Sequence, residues 1–160
     1  MIEERTIVIG VDDEEAYIDT IQDALQGKYD FRPFKEASAA LKAVKELKPT
    51  LREGQKVVIV TDYKMPDMDG PQFLQALRDN KLDFSTVMIS ATPEQEVMSR
   101  MHALNVKADI FVKKPITNAH SFCGAIENAL TKHVQRSSAP FSLSEGGRGA
   151  KVEDFMMRGG

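Results

Sequence analysis

The chain has 160 residues, 42% of them apolar and 28% charged, with a net charge of −3; this suits one soluble domain with residues to spare and gives no reason to expect nucleic acid or an anionic membrane as partner. A single cysteine, Cys123, excludes a disulfide framework and a CxxC metal site. No apolar run nears the roughly 20 residues that cross a bilayer, and the start MIEERTIVIG is no signal peptide, so the expected location is the cytoplasm with no membrane insertion.

Thr6-Ile7-Val8-Ile9-Gly10-Val11 is a nearly continuous apolar run, the pattern of a parallel strand buried on both faces, and Asp12-Asp13 follow it. Ile18, Ile21 and Leu25 share one face of a first helix. Residues 29–34 alternate instead, and Pro33 among them predicts a strand at a sheet edge. Ala37, Ala40, Leu41, Val44 and Leu47 mark a second helix. A third strand over residues 57–60 runs on to Asp62. Asp69-Gly70 predicts a turn and helix cap, with Pro71 in the first turn and Phe73, Leu74 and Leu77 facing inward. Asp67 is assigned to the same structural role.

The fourth strand, residues 84–89, leads to Ser90. Thr92-Pro93-Glu94-Gln95 has the form of a capping box and opens a helix expected to bury Val97, Met98, Met101 and Leu104. Residues 108–112 make the fifth strand, followed by Lys113-Lys114-Pro115. Thr117 is placed to cap a last helix carrying Phe122, Ile126, Leu130 and Val134 inward. His102, His120 and His133 lack metal-ligand spacing and are expected at the surface or at helix ends.

Five strand-helix units with short connections require right-handed crossovers and a parallel sheet covered on both faces. The expected fold is α/β, a flavodoxin-like (βα)5 doubly wound parallel sheet of strand order 2-1-3-4-5, which puts the Pro33 strand at an edge. The domain is expected over residues 1–136. Residues 137–160, SSAPFSLSEGGRGAKVEDFMMRGG, read as a flexible C-terminal tail. Its simplest reading is an idle extension. The alternative rests on Phe141 and Leu143, and on Val152, Phe155 and Met156 in KVEDFMM, as anchors for a partner's groove or for the domain itself. The MRGG ending resembles a ubiquitin-like C-terminus over only four residues, too few to imply conjugation.

In such a sheet ligands bind beyond the carboxyl ends of the strands, where the strand order reverses. The residues at these ends are Asp12, Asp13, Asp62, Ser90 and Lys114. Two carboxylates about 4 Å apart repel by about 4 kcal/mol at an effective dielectric near 20, so three in one crevice need a cation. Hard oxygen ligands with room for water suit Mg²⁺. With the cation in place, an aspartate is a competent nucleophile toward a phosphoryl group, and an ammonium and a hydroxyl can hold the remaining phosphoryl oxygens. Taken singly, Asp12 is an ordinary turn residue, Ser90 a loop hydroxyl and Lys114 a solvated charge. Their conjunction at four strand ends points to one reaction.

VDDEE, TDYKMPDMDG, SAT and KKP, in that order, resemble the motifs of a response regulator receiver domain, the phosphoacceptor partner of a sensor histidine kinase in two-component signalling. The resemblance covers residues 5 to about 135. It implies that Asp62 is the phosphoacceptor, and that Mg²⁺ is held by Asp12, Asp13, Asp62 and the backbone carbonyl of Lys64. It also implies that Ser90 and Lys114 contact the phosphoryl group, and that Ser90 and Phe111 form the switch that reports it. Phe111 lacks the hydroxyl of the commoner tyrosine, and plain core packing is its alternative reading. Lys64 and Thr92 flank the phosphoryl site, where a long lysine screens it from water. The implied donor is a histidine kinase or phosphotransfer protein, and the protein catalyses only its own phosphorylation and dephosphorylation.

The 24 residues after Arg136 are too few for a DNA-binding or enzymatic domain. Output is therefore expected through contacts with a downstream protein, on the face formed by the fourth helix, fifth strand and fifth helix. A receiver-fold binding module that never takes phosphate is the main alternative, yet such modules lose the acceptor, an acidic ligand or the lysine, all present here. DMDG resembles the DxDG motif of haloacid-dehalogenase-type phosphatases, but Asp67 lies five residues past the strand end, after Pro66. Nor is it an EF-hand, since Met65 cannot ligate calcium.

Overall fold

A computed structural model describes residues 5–138. Of the expected tail, 137–160, the first two residues continue the last helix and the rest, from 139 on, lies outside the described residues. In chain order the elements are β1 (Ile7–Val11), α1 (Glu15–Leu25), β2 (Asp30–Phe34), α2 (Ala37–Leu47), β3 (Val57–Asp62), α3 (Gly70–Asp79), β4 (Ser85–Ser90), α4 (Glu94–Ala103), β5 (Ile110–Lys113) and α5 (Ala119–Ser138), with one 3₁₀ turn at Lys48–Thr50 after α2. The strands form one sheet in the order β2-β1-β3-β4-β5. Every pairing is parallel. This is the flavodoxin-like (βα)5 arrangement, with β2 and its Pro33 at an edge.

The sheet is covered on both faces, which is why β1, β3 and β4 are buried at every residue. Ile7, Ile9 and Val11 point to the side holding Ala40 and Val44 of α2, Phe73 and Leu77 of α3, and Val97 and Met101 of α4. Val8, Val58, Val60 and Val87 point to the other, against Ile21 and Leu25 of α1 and Phe122, Ile126 and Leu130 of α5. The period-2 alternation of the strands thus meets helical stripes on each side. Full burial of a side chain such as Phe73 stabilises the fold by roughly 1.5–3 kcal/mol.

The α3 start agrees with the expectation. Asp69 Oδ1 accepts from the Gln72 amide at 2.9 Å, Gln72 Oε1 accepts from the Asp69 amide at 2.9 Å, and Pro71 sits in the first turn. Two other caps differ. The capping box at Thr92 is absent: α4 begins at Glu94, and Pro93 precedes it with extended backbone. The Thr92 amide instead donates to Ser90 Oγ at 2.9 Å, which ties that residue to the strand end, and a following proline disfavours helical backbone there. Likewise Asn118, not Thr117, caps α5, its Oδ1 accepting from the Ser121 amide at 3.2 Å.

Two residues expected inside are outside. Met98 is 39% exposed, because Val97 and Met101 already fill the stripe that faces the sheet. Val134 is 57% exposed. With 20 residues α5 is about 30 Å long and overruns the short strands it covers. Leu104 is half-buried against the core.

Candidate functional site

Because Val11 pairs with Thr61, the residue after β1 and the last residue of β3 lie side by side. Asp12 is 1% exposed and Asp62 7%, whereas Asp13 is exposed. One oxygen from each of the three carboxylates lies within 4.8 Å of the others. Lys114 follows β5, and its amide donates to the Ser90 carbonyl at 2.9 Å. Its Nζ lies 3.1 Å from Asp12 Oδ2, 3.2 Å from Asp62 Oδ1 and 3.5 Å from Glu14 Oε1. The Tyr17 ring closes over the same ammonium, its centroid 3.8 Å away, a favourable cation–π distance.

Charge is unbalanced in this crevice. Three carboxylates face one buried ammonium, with Glu14 at its rim. Burial pushes the Asp62 carboxyl up, and the neighbouring Asp12 charge adds to it; Lys114 and the Tyr63 amide pull the other way, leaving it at about 6. Burial likewise raises Asp12, against the Glu14 amide and Lys114. Burial alone would lower Lys114, but the Asp62 and Asp12 charges outweigh it and raise its pKa. Asp12 Oδ1 accepts from the Glu14 amide at 2.9 Å. Asp12 Oδ2 is buried and, its ion-pair contact with Lys114 aside, accepts no hydrogen bond. A buried carboxylate oxygen with spare acceptor capacity, beside two more carboxylates, is chemistry that fits a hard divalent cation such as Mg²⁺.

The loop after Asp62 is held from several sides. The Gly70 amide donates to the Tyr63 carbonyl at 2.7 Å. A Cβ on Gly70 would lie 2.5 Å from the Asp62 carbonyl oxygen and 2.8 Å from Met88 Sδ, so only glycine allows this close approach. Asp67 accepts from the amides of Ser38 at 2.9 Å and Ala37 at 3.4 Å, capping α2. Its carboxylate is thereby engaged in structure rather than in the acidic cluster. Arg100 of α4 reaches Asp69 Oδ2 at 3.0 Å.

Of the remaining candidates, Ser90 is 1% exposed at the end of β4 and its Oγ accepts from Thr92. Thr92 is half-buried and Lys64 exposed, two residues past Asp62. Phe111 pairs in register with Met88 and packs against the α2–α3–α4 side of the core. His133 sits near the end of α5, with Nε2 3.2 Å from the Asp83 carbonyl oxygen. Sequence reasoning missed Tyr17, the role of Glu14 at the Lys114 ammonium, the α2 cap supplied by Asp67, and Arg100. Glu14 stands inside VDDEE and was within reach; the Tyr17–Lys114 contact joins residues nearly a hundred positions apart and leaves no local signal.

A parallel five-stranded sheet with this acidic crevice at its switch point defines a class, and the match is direct: residues 8–126 fit the response regulator receiver domain, and the chain belongs to that family of two-component signalling domains. It is 31% identical over 111 residues to the alkaline phosphatase synthesis transcriptional regulatory protein PhoP of Bacillus subtilis, covering 69% of this chain and 42% of that protein. It is 26% identical over 145 residues to response regulator Rre1 of Synechocystis sp., covering 91% of this chain and 58% of that one. The chain therefore spans about half the length of these curated relatives. Its fold is similar to that of a CheY-like response regulator receiver domain protein from Methanospirillum hungatei, with a TM-score of 0.65 and 21% identity, covering 83% of this chain and 99% of that one. Among the described residues no helix is long and apolar enough to cross a membrane.

Proposed function

We propose that the protein is a phosphoaspartyl switch in which Asp62 accepts a phosphoryl group from a histidine kinase or phosphotransfer protein, in the cytoplasm and with Mg²⁺. One observation carries this reading: the Asp62 carboxylate shares a crevice with Asp12, Asp13 and the Lys114 ammonium, and Asp12 Oδ2 has no partner beyond its ion pair with Lys114. An Asp62 carboxyl near 6 is mostly ionised at neutral pH and so nucleophilic. A carboxylate oxygen of Asp62 attacks phosphorus, and the bond from phosphorus to the donor's imidazole nitrogen breaks. The electron pair leaves with that nitrogen, which takes up a proton, and an acyl phosphate remains on Asp62. Lys114, already 3.2 Å from Asp62 Oδ1, turns to the added phosphoryl charge. The Ser90 hydroxyl accepts from Thr92 and keeps its own proton to donate to a phosphoryl oxygen.

Asp12, Asp13, Asp62 and the Lys64 carbonyl are the groups that would hold Mg²⁺, whose chemistry there is neutralisation of phosphoryl charge. Hydrolysis of the acyl phosphate by water returns Asp62. Lys64, exposed beside the acceptor, screens that water; equal decay rates for the parent protein and Lys64→Ala would remove this role. Movement of Ser90 toward the phosphoryl group, coupled to Phe111, transmits the state to a protein target on the α4–β5–α5 face. Residues 1–136 form the switch, and 137–160 the tail.

The test is incubation of the purified protein with acetyl phosphate, with and without Mg²⁺, beside Asp62→Asn. A Mg²⁺-dependent gain of one phosphoryl mass, absent in the variant, is the expected result. No gain under any condition refutes the reading and leaves a phosphorylation-independent binding module.

A further inference from the structure

We propose that residues 151–157 of this same chain, KVEDFMM, dock in a groove at the end of the sheet opposite the acidic crevice. The groove has a volume of about 720 Å³ and lies between the last turns of α3, the segments leading into β4 and β5, and the end of α5. That size suits a few side chains of a bound segment. Leu77, Leu82 and Val106 give it an apolar floor, and half-buried Phe84 forms a wall. Its charged residues divide into two sets. Arg136 is engaged with Asp83 and Asp109, and Arg78 with the Asn105 carbonyl and Asp79. Lys81, Lys107 and Lys132 are exposed and have no ion pair among the described residues. The groove therefore presents apolar surface rimmed by unmatched positive charge.

The occupant is chosen by charge and by reach. Beyond Ser138 the sequence has two apolar clusters, Phe141 with Leu143, and Val152 with Phe155, Met156 and Met157. Only the second has carboxylates within it, Glu153 and Asp154, and these match the free ammoniums of the rim. The described chain stops two residues past Arg136, itself in the wall of the groove. Thirteen residues lie between Ser138 and Val152, a span of up to about 45 Å, more than the length of α5. Attachment this near holds the segment at an effective concentration in the millimolar range, so modest contacts are enough to seat it. Docking here leaves the Asp62 crevice open, and the inference does not depend on phosphorylation.

The experiment is NMR on the full-length chain, comparing it with Phe155→Ser/Met156→Ser and with Lys81→Glu/Lys107→Glu. Lys81 and Lys107 are exposed, so the fold serves as its own control through the unchanged core resonances. Expected are cross-peaks between the Phe155 ring and the methyls of Leu82 and Val106, at an intensity independent of protein concentration. The tail variant should shift the amides of Leu82, Val106 and Lys107, and the rim variant should move the 151–157 amides to random-coil values. Absence of the cross-peaks, with shifts confined to the substituted positions, overturns the proposal. So do cross-peaks that grow with protein concentration, which would place the segment on a second copy.

Discussion

Replacing Asp62 with asparagine should make the metal-free protein more stable at neutral pH. The folded carboxyl is raised from its ordinary 3.8 to about 6, and at 1.36 kcal/mol per pH unit this is a cost of about 3 kcal/mol for holding the charge in the crevice. The direction follows from proton counting. Between pH 3.8 and 6 the folded state keeps a proton that the unfolded state has lost, so stability falls as pH rises through this window and stays low above it. Asparagine removes the charge at similar size and keeps an oxygen for the Tyr63 amide, which now bonds Asp62 Oδ1 at 2.8 Å. It weakens the pairing with Lys114, which retains Asp12 at 3.1 Å, and water at the crevice mouth screens part of the repulsion. A net gain of about 1–2 kcal/mol at pH 7.5 is expected, or roughly 3–6 °C in midpoint. By the same linkage the gain should shrink to about a third at pH 4.5. Urea and thermal unfolding in EDTA at the two pH values measure it. A variant no more stable than the parent at pH 7.5, or a gain that ignores pH, would refute the assignment of strain to Asp62.

Adding Mg²⁺ at pH 7.5 should raise the parent's unfolding midpoint, by about 1.4 kcal/mol at ten times the dissociation constant, and Asp12→Asn should abolish most of that rise in the same titration. Gly70→Ala should cost about 1–3 kcal/mol in urea unfolding, since its methyl must displace the Asp62 carbonyl or Met88; an unchanged midpoint would mean the loop relaxes freely. Asp67→Ala should cost about 1 kcal/mol by removing the α2 cap, seen as faster hydrogen exchange at the Ala37 and Ser38 amides. Arg136→Ala should cost about 1 kcal/mol, less at high salt, because the half-exposed guanidinium pairs with Asp83 at 2.7 Å and Asp109 at 3.0 Å.

The strands were legible because their environment is uniform. A strand covered on both faces leaves an unbroken apolar run, so β1, β3 and β4 stand out, and Pro33 marks the edge. The strand-end rule then finds Asp12, Asp62, Ser90 and Lys114, whose grouping depends on topology alone. Caps were less legible where two competent residues stand together. Asn118 rather than Thr117 opens α5, and Thr92 is taken by Ser90 before it can cap α4. Helical stripes were read correctly at their centres and too widely at their margins: Met98 and Val134 keep the period but are 39% and 57% exposed. That width is set by where the sheet ends, which no local pattern encodes.

Asp67 and Asp69 carry one local signal, an aspartate in a turn, yet do different work. Asp69 caps its own helix, and Asp67 caps α2 from 30 positions away. Together with Arg100 from α4 and the Gly70–Tyr63 hydrogen bond, they hold the loop that begins at Asp62 from three sides. Asp62 itself is the last residue of β3, in register with Ile89, and burial followed by the Asp12 charge raises its carboxyl. Held by the sheet on one side and by this loop on the other, Asp62 cannot turn away from Asp12 to relieve their repulsion. Four contacts of about 1 kcal/mol each are comparable with the roughly 3 kcal/mol that the repulsion and burial cost. The same restraint keeps the carboxylates of Asp12, Asp13 and Asp62 together, so the loop that looked like turn chemistry in the sequence also shapes the acidic crevice.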